Sequence, residues 1–162
     1  MTKATAMKYK LFLTGVLILV FFRMTAQETG MNRSREKLVE KKIAFLRQRT
    51  AMNDAEFKAA QPVIRRYEME RWKLFDRRRK ILASLRGDQL PGLSDSEVSG
   101  KLDAIMEIDA QLYKLRAEYY QRMREILPPR KLLQLLRAEL AFKRRLLAQK
   151  RKRMAEKRQN RP

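Results

Sequence analysis

Eight cations between positions 65 and 80 are interleaved with large apolar side chains, three of them off the main apolar stripe. The cations are Arg65, Arg66, Arg71, Lys73, Arg77, Arg78, Arg79 and Lys80, and Met69, Trp72 and Phe75 stand among them. Guanidinium forks match carboxylates and phosphates, and aromatic rings supply flat apolar area. The chemistry on offer is recognition, not bond cleavage. Arg65, Arg66, Met69, Arg71, Trp72, Phe75, Arg78 and Arg79 are therefore the candidate binding residues. Met69, Trp72 and Phe75 follow one another at steps of three, which predicts one shared face away from the Tyr67–Leu74–Ile81 stripe. The competing expectation is that Trp72 and Phe75 pack on another helix or across a dimer.

Bond-breaking chemistry finds few groups to use. The chain has no cysteine and no histidine, so disulfides, thiolate and imidazole catalysis are excluded, and zinc or copper loses its usual ligands. The carboxylates mostly stand beside Lys or Arg at helical spacing, the pattern of solvated i,i+4 pairs. No catalytic residue, metal or cofactor is expected, and the chain is not read as an enzyme.

The elements that must position these residues are announced by a short device used three times. An apolar residue is followed by a capping residue, two spacers, a Glu or its substitute, and a second apolar residue. The copies are Met52-Asn53-Asp54-Ala55-Glu56-Phe57, Leu93-Ser94-Asp95-Ser96-Glu97-Val98 and the degraded Leu127-Pro128-Pro129-Arg130-Lys131-Leu132. In the first two, Asn53 or Ser94 can accept from an orphaned helix N–H while Glu56 or Glu97 reaches back, and the apolar pair staples the approach. In the third, prolines occupy positions where no N–H partner is needed.

With glycine scarce at 5 residues and strong helix formers dominant, the fold class is all-α: about four long helices in a hairpin-like, kinked arrangement. Ser34 is expected to cap a first helix over 35–49, with Leu38, Val39, Ile43, Phe45 and Leu46 in one stripe. Asn53 opens a second, running to Arg86 and closed by Gly87, with Pro62 kinking it near Phe57–Lys58. A loop over 87–93 leads to a third helix whose stripe is Val98, Leu102, Ile105, Ile108, Leu112, Leu115, Tyr119, Met123 and Ile126. The fourth holds Leu132, Leu133, Leu135, Leu136, Leu140, Phe142, Leu146 and Leu147. Leucine on more than one face predicts two contacts there, one within the subunit and one with a partner.

Residues 1–26 read as a secretory signal peptide: Lys3, Lys8 and Lys10, then the apolar run from Leu11 to Phe22, then Ala26. Twelve apolar residues are short for a membrane span of about 17–25. Export with cleavage near Ala26 is expected, and an inner-membrane N-terminal anchor is the alternative. The remaining organisation is a helical domain over 27–142 and a basic helix end or tail over 143–162. Without the four leader cations the formal charge falls from +21 to +17. The tail contributes +9 of this through ten cations against Glu156 alone. It suits either a solvated helix end or an arm for an anionic membrane surface. In an exported chain nucleic acid is not the expected partner.

The apolar–cap–x–x–Glu signature at Met52–Glu56 and its echo at Leu127–Lys131 resemble the paired Leu-Thr-x-x-Gln motifs of the Spy/CpxP family. So do the Gln61-Pro62 to Tyr67-Glu68 stretch, the Leu93-Ser94-Asp95 helix start, and Ile126 to Lys131 followed by Arg137-Ala-Glu139 and Phe142. The branch it is most similar to is labelled as sensors near extracytoplasmic-function sigma factors. Asn53 stands for Thr and Glu56 for Gln in the first motif, and the second keeps only its Leu. The resemblance implies a periplasmic, antiparallel, cradle-shaped helical homodimer that holds unfolded or misfolded envelope proteins without ATP, as part of an envelope stress response. It implies helix-capping roles for Asn53, Glu56, Leu127, Pro128 and Lys131. The alternative is a regulatory protein that binds a membrane sensor or anti-sigma factor. Zinc sensing by some relatives uses His or Cys and does not carry over.

Overall fold

The computed structural model describes residues 30–159, all α-helix, 3-10 helix or short connection, with no strand among them. The expected leader, residues 1–26, lies outside the described residues, and so does the end of the tail beyond 159. The chain divides into two compact units, Met1–Leu38 and Val39–Pro162. In the first, residues 30–38 are helical. Ser34 therefore sits inside a helix rather than capping one, because residues 30–33 contain nothing that stops helix propagation.

The second unit begins with helical residues 39–49 (α1), followed by α2, Asp54–Ala83, a 3-10 helix, Gly87–Gly92, α3, Asp95–Ile126, and α4, Pro129–Gln159. Both capping boxes form. Asn53 Oδ1 accepts from Glu56 N (2.8 Å) and Glu56 Oε2 accepts from Asn53 N (2.8 Å). Ser94 Oγ accepts from Glu97 N (3.3 Å) while Glu97 Oε2 accepts from Ser94 N (2.8 Å). At the third start Pro129 is the first helical residue, and Leu132 N donates to Pro128 O (3.0 Å).

Two boundaries differ from expectation. α2 ends at Ala83 rather than Arg86: Leu85 N and Arg86 N reach back only three residues, to Leu82 O and Ala83 O. That tightening leads to Gly87 at φ 60, the left-handed conformation glycine adopts without a Cβ clash. The expected loop 87–93 is likewise largely a 3-10 helix, with Pro91 inside it. Pro62 denies Lys58 O its donor, yet α2 continues through it as one helix, and Pro62 faces solvent.

α2 and α3 form an antiparallel hairpin. Tyr67 meets Tyr119, Arg78 meets Asp109 and Ser84 meets Lys101, so position rises along one helix as it falls along the other. α3, with 32 residues, is about 48 Å long. The core sits where α1, the first half of α2, the end of α3 and the start of α4 converge. It is built from Val39, Ile43, Phe45, Leu46, Ala60, Ile64, Tyr119, Met123, Leu127, Leu135, Ala138 and Phe142, with Ile105 and Ile108 further along the hairpin. Leu102, placed in the α3 stripe by spacing, is 50 % exposed. It lies about 85° round the helix from the centre of the buried stripe. Of the α4 leucines, Leu135 is buried in the core while Leu133, Leu140 and Leu147 face solvent.

Replacing either cap, Asn53→Ala or Ser94→Ala, is expected to lower the unfolding free energy by about 1 kcal/mol. Leu135→Ala, at a position with no exposure, is expected to cost about 2–5 kcal/mol. Urea unfolding followed by far-UV circular dichroism measures both.

Candidate functional site

Three charged residues interrupt the apolar stripes, and the fold gathers them. Lys42 lies between Val39, Ile43 and Leu46 on α1, Glu68 one turn beyond Ile64 on α2, and Glu139 beside Leu135, Ala138 and Phe142 on α4. Lys42 is 8 % and Glu68 3 % exposed. Lys42 Nζ donates to Glu68 Oε1 (2.6 Å) and to Glu139 Oε1 (2.7 Å). Glu68 Oε2 also accepts from Arg71 Nη2 (2.8 Å). Glu139 accepts from the hydroxyls of Tyr119 (3.2 Å) and Tyr120 (3.2 Å). Two cations thus meet two carboxylates, and the phenols satisfy remaining lone pairs.

Aromatic rings enclose this cluster. Tyr67 stacks on Tyr119 with centroids 4.2 Å apart. The Arg71 guanidinium lies over Tyr67 (5.8 Å) and Phe75 (5.6 Å). Its buried Nε has no hydrogen-bond partner, and the ring faces supply the attraction instead. Burial foremost, then the Glu139 charge, pushes the Tyr120 phenol up to about 12 and raises that of Tyr119 as well. Burial raises Tyr67 too.

A second polar junction ties two of the motifs together. Lys131 Nζ donates to both oxygens of Glu56 (2.8 and 2.7 Å), and Ala51 N donates to Gln134 Oε1 (3.1 Å). The Lys131 hydrogen bonds, with that from Asn53 N, hold the Glu56 carboxyl below its usual range. Of the apolar partners, Leu127 is buried, while Met52, Phe57 and Leu93 are half-buried. Arg47 lies over the Phe57 ring (4.7 Å).

The candidate binding residues are dispersed around α2. Each step of three turns back about 60°, so Met69 and Phe75 stand about 120° apart, and with Trp72 they form a wrapping band instead of the expected single face. Met69 and Trp72 are half-buried, and Phe75 is 40 % exposed. Four of the arginines are held within the chain: Arg65 by Glu40, Arg71 by Glu68, Arg78 by Asp109 (2.8 and 3.2 Å) and Arg79 by Asp76. Arg66 faces solvent beside an open groove of about 370 Å³ between α2 and α3. Pro62, Val63, Tyr67 and Leu115 supply its apolar lining, with Arg66 and Glu70 on the α2 side and Glu118 and Arg122 on the α3 side. Its charges balance.

No cluster of three or more His, Cys, Asp or Glu suited to a metal occurs among the described residues, and no described helix is long and apolar enough to cross a membrane. Spacing alone did not single out the Lys42–Glu68–Glu139 cluster. The available signal was a charge inside each apolar stripe, since such a residue either exposes the stripe or finds a buried partner. No protein-family model, no curated protein and no solved structure matches this chain.

Lys42→Met leaves Glu68 with Arg71 alone and Glu139 with the two phenols but no cation, and is expected to destabilise by about 3–5 kcal/mol. Adding Glu139→Gln restores balance between Glu68 and Arg71 and recovers part of that loss in the same unfolding measurement. A raised phenol pKa means that the folded chain keeps a proton the unfolded chain has begun to release. Stability is thus untouched below about pH 10 and falls as pH rises from about 10 toward 12. Thermal unfolding midpoints across that window should drop steeply, and less steeply in Tyr119→Phe/Tyr120→Phe.

Proposed function

We propose that this protein is an exported, ATP-independent chaperone of the bacterial envelope that holds unfolded or partly folded proteins on its helical surface. The observation that carries this reading is the number of large apolar side chains left in solvent on a strongly cationic chain: Phe75, Leu102, Met106, Tyr113, Leu140 and Met154 among them. Exposed apolar side chains that gather on one face, as Leu102, Met106 and Tyr113 do on α3, mark interaction surfaces. Methionine and aromatic side chains adapt to many partner shapes, and net charge far from zero speeds encounter with anionic segments.

Within the binding band, ion pairs position Arg65, Arg71, Arg78 and Arg79, while Arg66 and Phe75 present charge and ring to a client. The groove beside Arg66 offers an extended or helical segment apolar walls with charges of both signs at the rim. Export fits the order of the first 26 residues, cations then an apolar run then Ala26. The likeness of the Met52–Glu56 and Leu127–Lys131 segments to Spy/CpxP motifs supports the same reading, and the first of them forms a capping box through Asn53 and Glu56.

The test is suppression of aggregation of several unrelated unfolded proteins, read by light scattering across ionic strengths. Suppression should weaken as salt rises. Arg66→Glu/Phe75→Ser should lose about five- to tenfold in client affinity, the equivalent of about 1 kcal/mol of contact. No suppression at any ratio, together with stoichiometric capture of one membrane sensor or anti-sigma factor, would replace the chaperone with a regulatory adaptor.

A further inference from the structure

Two exposed apolar rows on this chain are complementary in charge. On α3, Leu102, Met106 and Tyr113 fall within about 40° of one another around the helix and are 50, 69 and 77 % exposed. On α4, Leu133, Leu140, Leu147 and Met154 recur at every seventh position, each near half exposure. Around the first row, Asp95, Asp103 and Asp109 lie within about 80° of its centre, while Glu97, Lys101 and Glu107 lie about 120–160° away; positions 95–113 together carry a net −4 within a chain of +21. Around the end of the second, positions 143–159 carry nine cations against Glu156. Lys150, Arg151 and Arg158 frame the apolar surface of Leu147, Met154 and Ala155. Asp109 is engaged with Arg78, and Glu107 accepts from Gln111 (2.9 Å). No ion pair among the described residues holds Asp95, Asp103, Lys150, Arg151 or Arg158.

We propose that residues 143–159 of α4 from one copy pack along the acidic α3 face, 95–113, of a second copy, and that the contact is reciprocal and closes a two-fold dimer. Both surfaces stay exposed within one copy. Pairing α4 with α4 would oppose like charges, which costs several kcal/mol, whereas α4 on α3 opposes unlike ones. The α4 row is about one residue wide at a seven-residue period. That suits knobs set between the side chains of another helix, while a lipid surface takes a broad apolar face. Reciprocity follows because each copy carries both faces, so two contacts close without leaving an unused one. The proposal gives a surface to the homodimer expected from the leucine surplus, and it does not depend on whether clients bind.

Charge exchange tests it. One variant carries Asp95→Lys/Asp103→Lys, and the other carries Lys150→Glu/Arg151→Glu/Arg158→Glu. All five positions are at the surface, and unchanged circular dichroism checks the fold. Sedimentation velocity should find the wild-type chain dimeric. Each variant alone should dissociate at least about 100-fold more readily, since its two faces now repel. An equimolar mixture of the two should regain the dimer, because both contacts are again acidic on basic. A monomeric wild type, variants that stay dimeric alone, or a mixture that stays monomeric would each overturn the proposal. A monomeric wild type that sediments with phosphatidylglycerol vesicles would do the same and would assign the α4 end to lipid. The aggregation assay on the same variants reads client binding separately.

Discussion

The ammonium of Lys42, held between the carboxylates of Glu68 and Glu139, is the contact on which the convergence of α1, α2 and α4 depends. Helices that meet only through apolar side chains can slide and rotate against one another at modest cost. A buried ion cannot, because a displacement that breaks its hydrogen bonds leaves an unpaired charge out of water. The balance of two cations and two carboxylates, with Tyr119 and Tyr120 donating to Glu139, makes the burial tolerable. The cluster therefore sets the register of three helices, and through the tyrosines it extends to the end of α3. Desolvation of the buried ions offsets much of their attraction, so the cluster contributes to geometry more than to net free energy.

The capping device serves tertiary structure as well as the helix starts. Glu56 completes the box at the start of α2 and also accepts from Lys131 in the first turn of α4. One carboxylate satisfies an orphaned N–H and neutralises a cation from another helix. The near-identical box at Ser94 has no such second partner. Glu97 stays exposed and caps α3 alone. Local sequence is the same in the two places, and only the neighbour that folding brings differs.

The core at the base of the molecule also explains what is left at its surface. Lys42, Glu68 and Glu139 bind the helices where α1 and the start of α4 cover the hairpin. Beyond that cover, Phe75 on α2 and Leu102 and Met106 on α3 remain in solvent, and past Phe142 the described residues of α4 carry no buried side chain. Most of the arginines around Trp72 are already spent on carboxylates of the same chain. The uncompensated positive charge is thus concentrated in α4, away from the segment where sequence places its densest mixture of cations and aromatics.

The sequence by itself determined the helices: the caps at Asn53 and Ser94, the prolines at 128 and 129, and the apolar spacing of α3 are local, and each acts within a turn or two of its own position. It also determined that imidazole and thiolate chemistry are absent. Spacing marked Leu135 and Leu140 alike as apolar positions of α4, and could not say that one would be sealed in the core and the other left in water. Nor could it say that Glu68 would be desolvated against Lys42 while Glu70 faced the solvent side of the same helix. Those outcomes were decided only by tertiary structure, because burial and ion pairing depend on which surfaces meet across 26 and 97 residues of chain, distances over which periodicity carries no information.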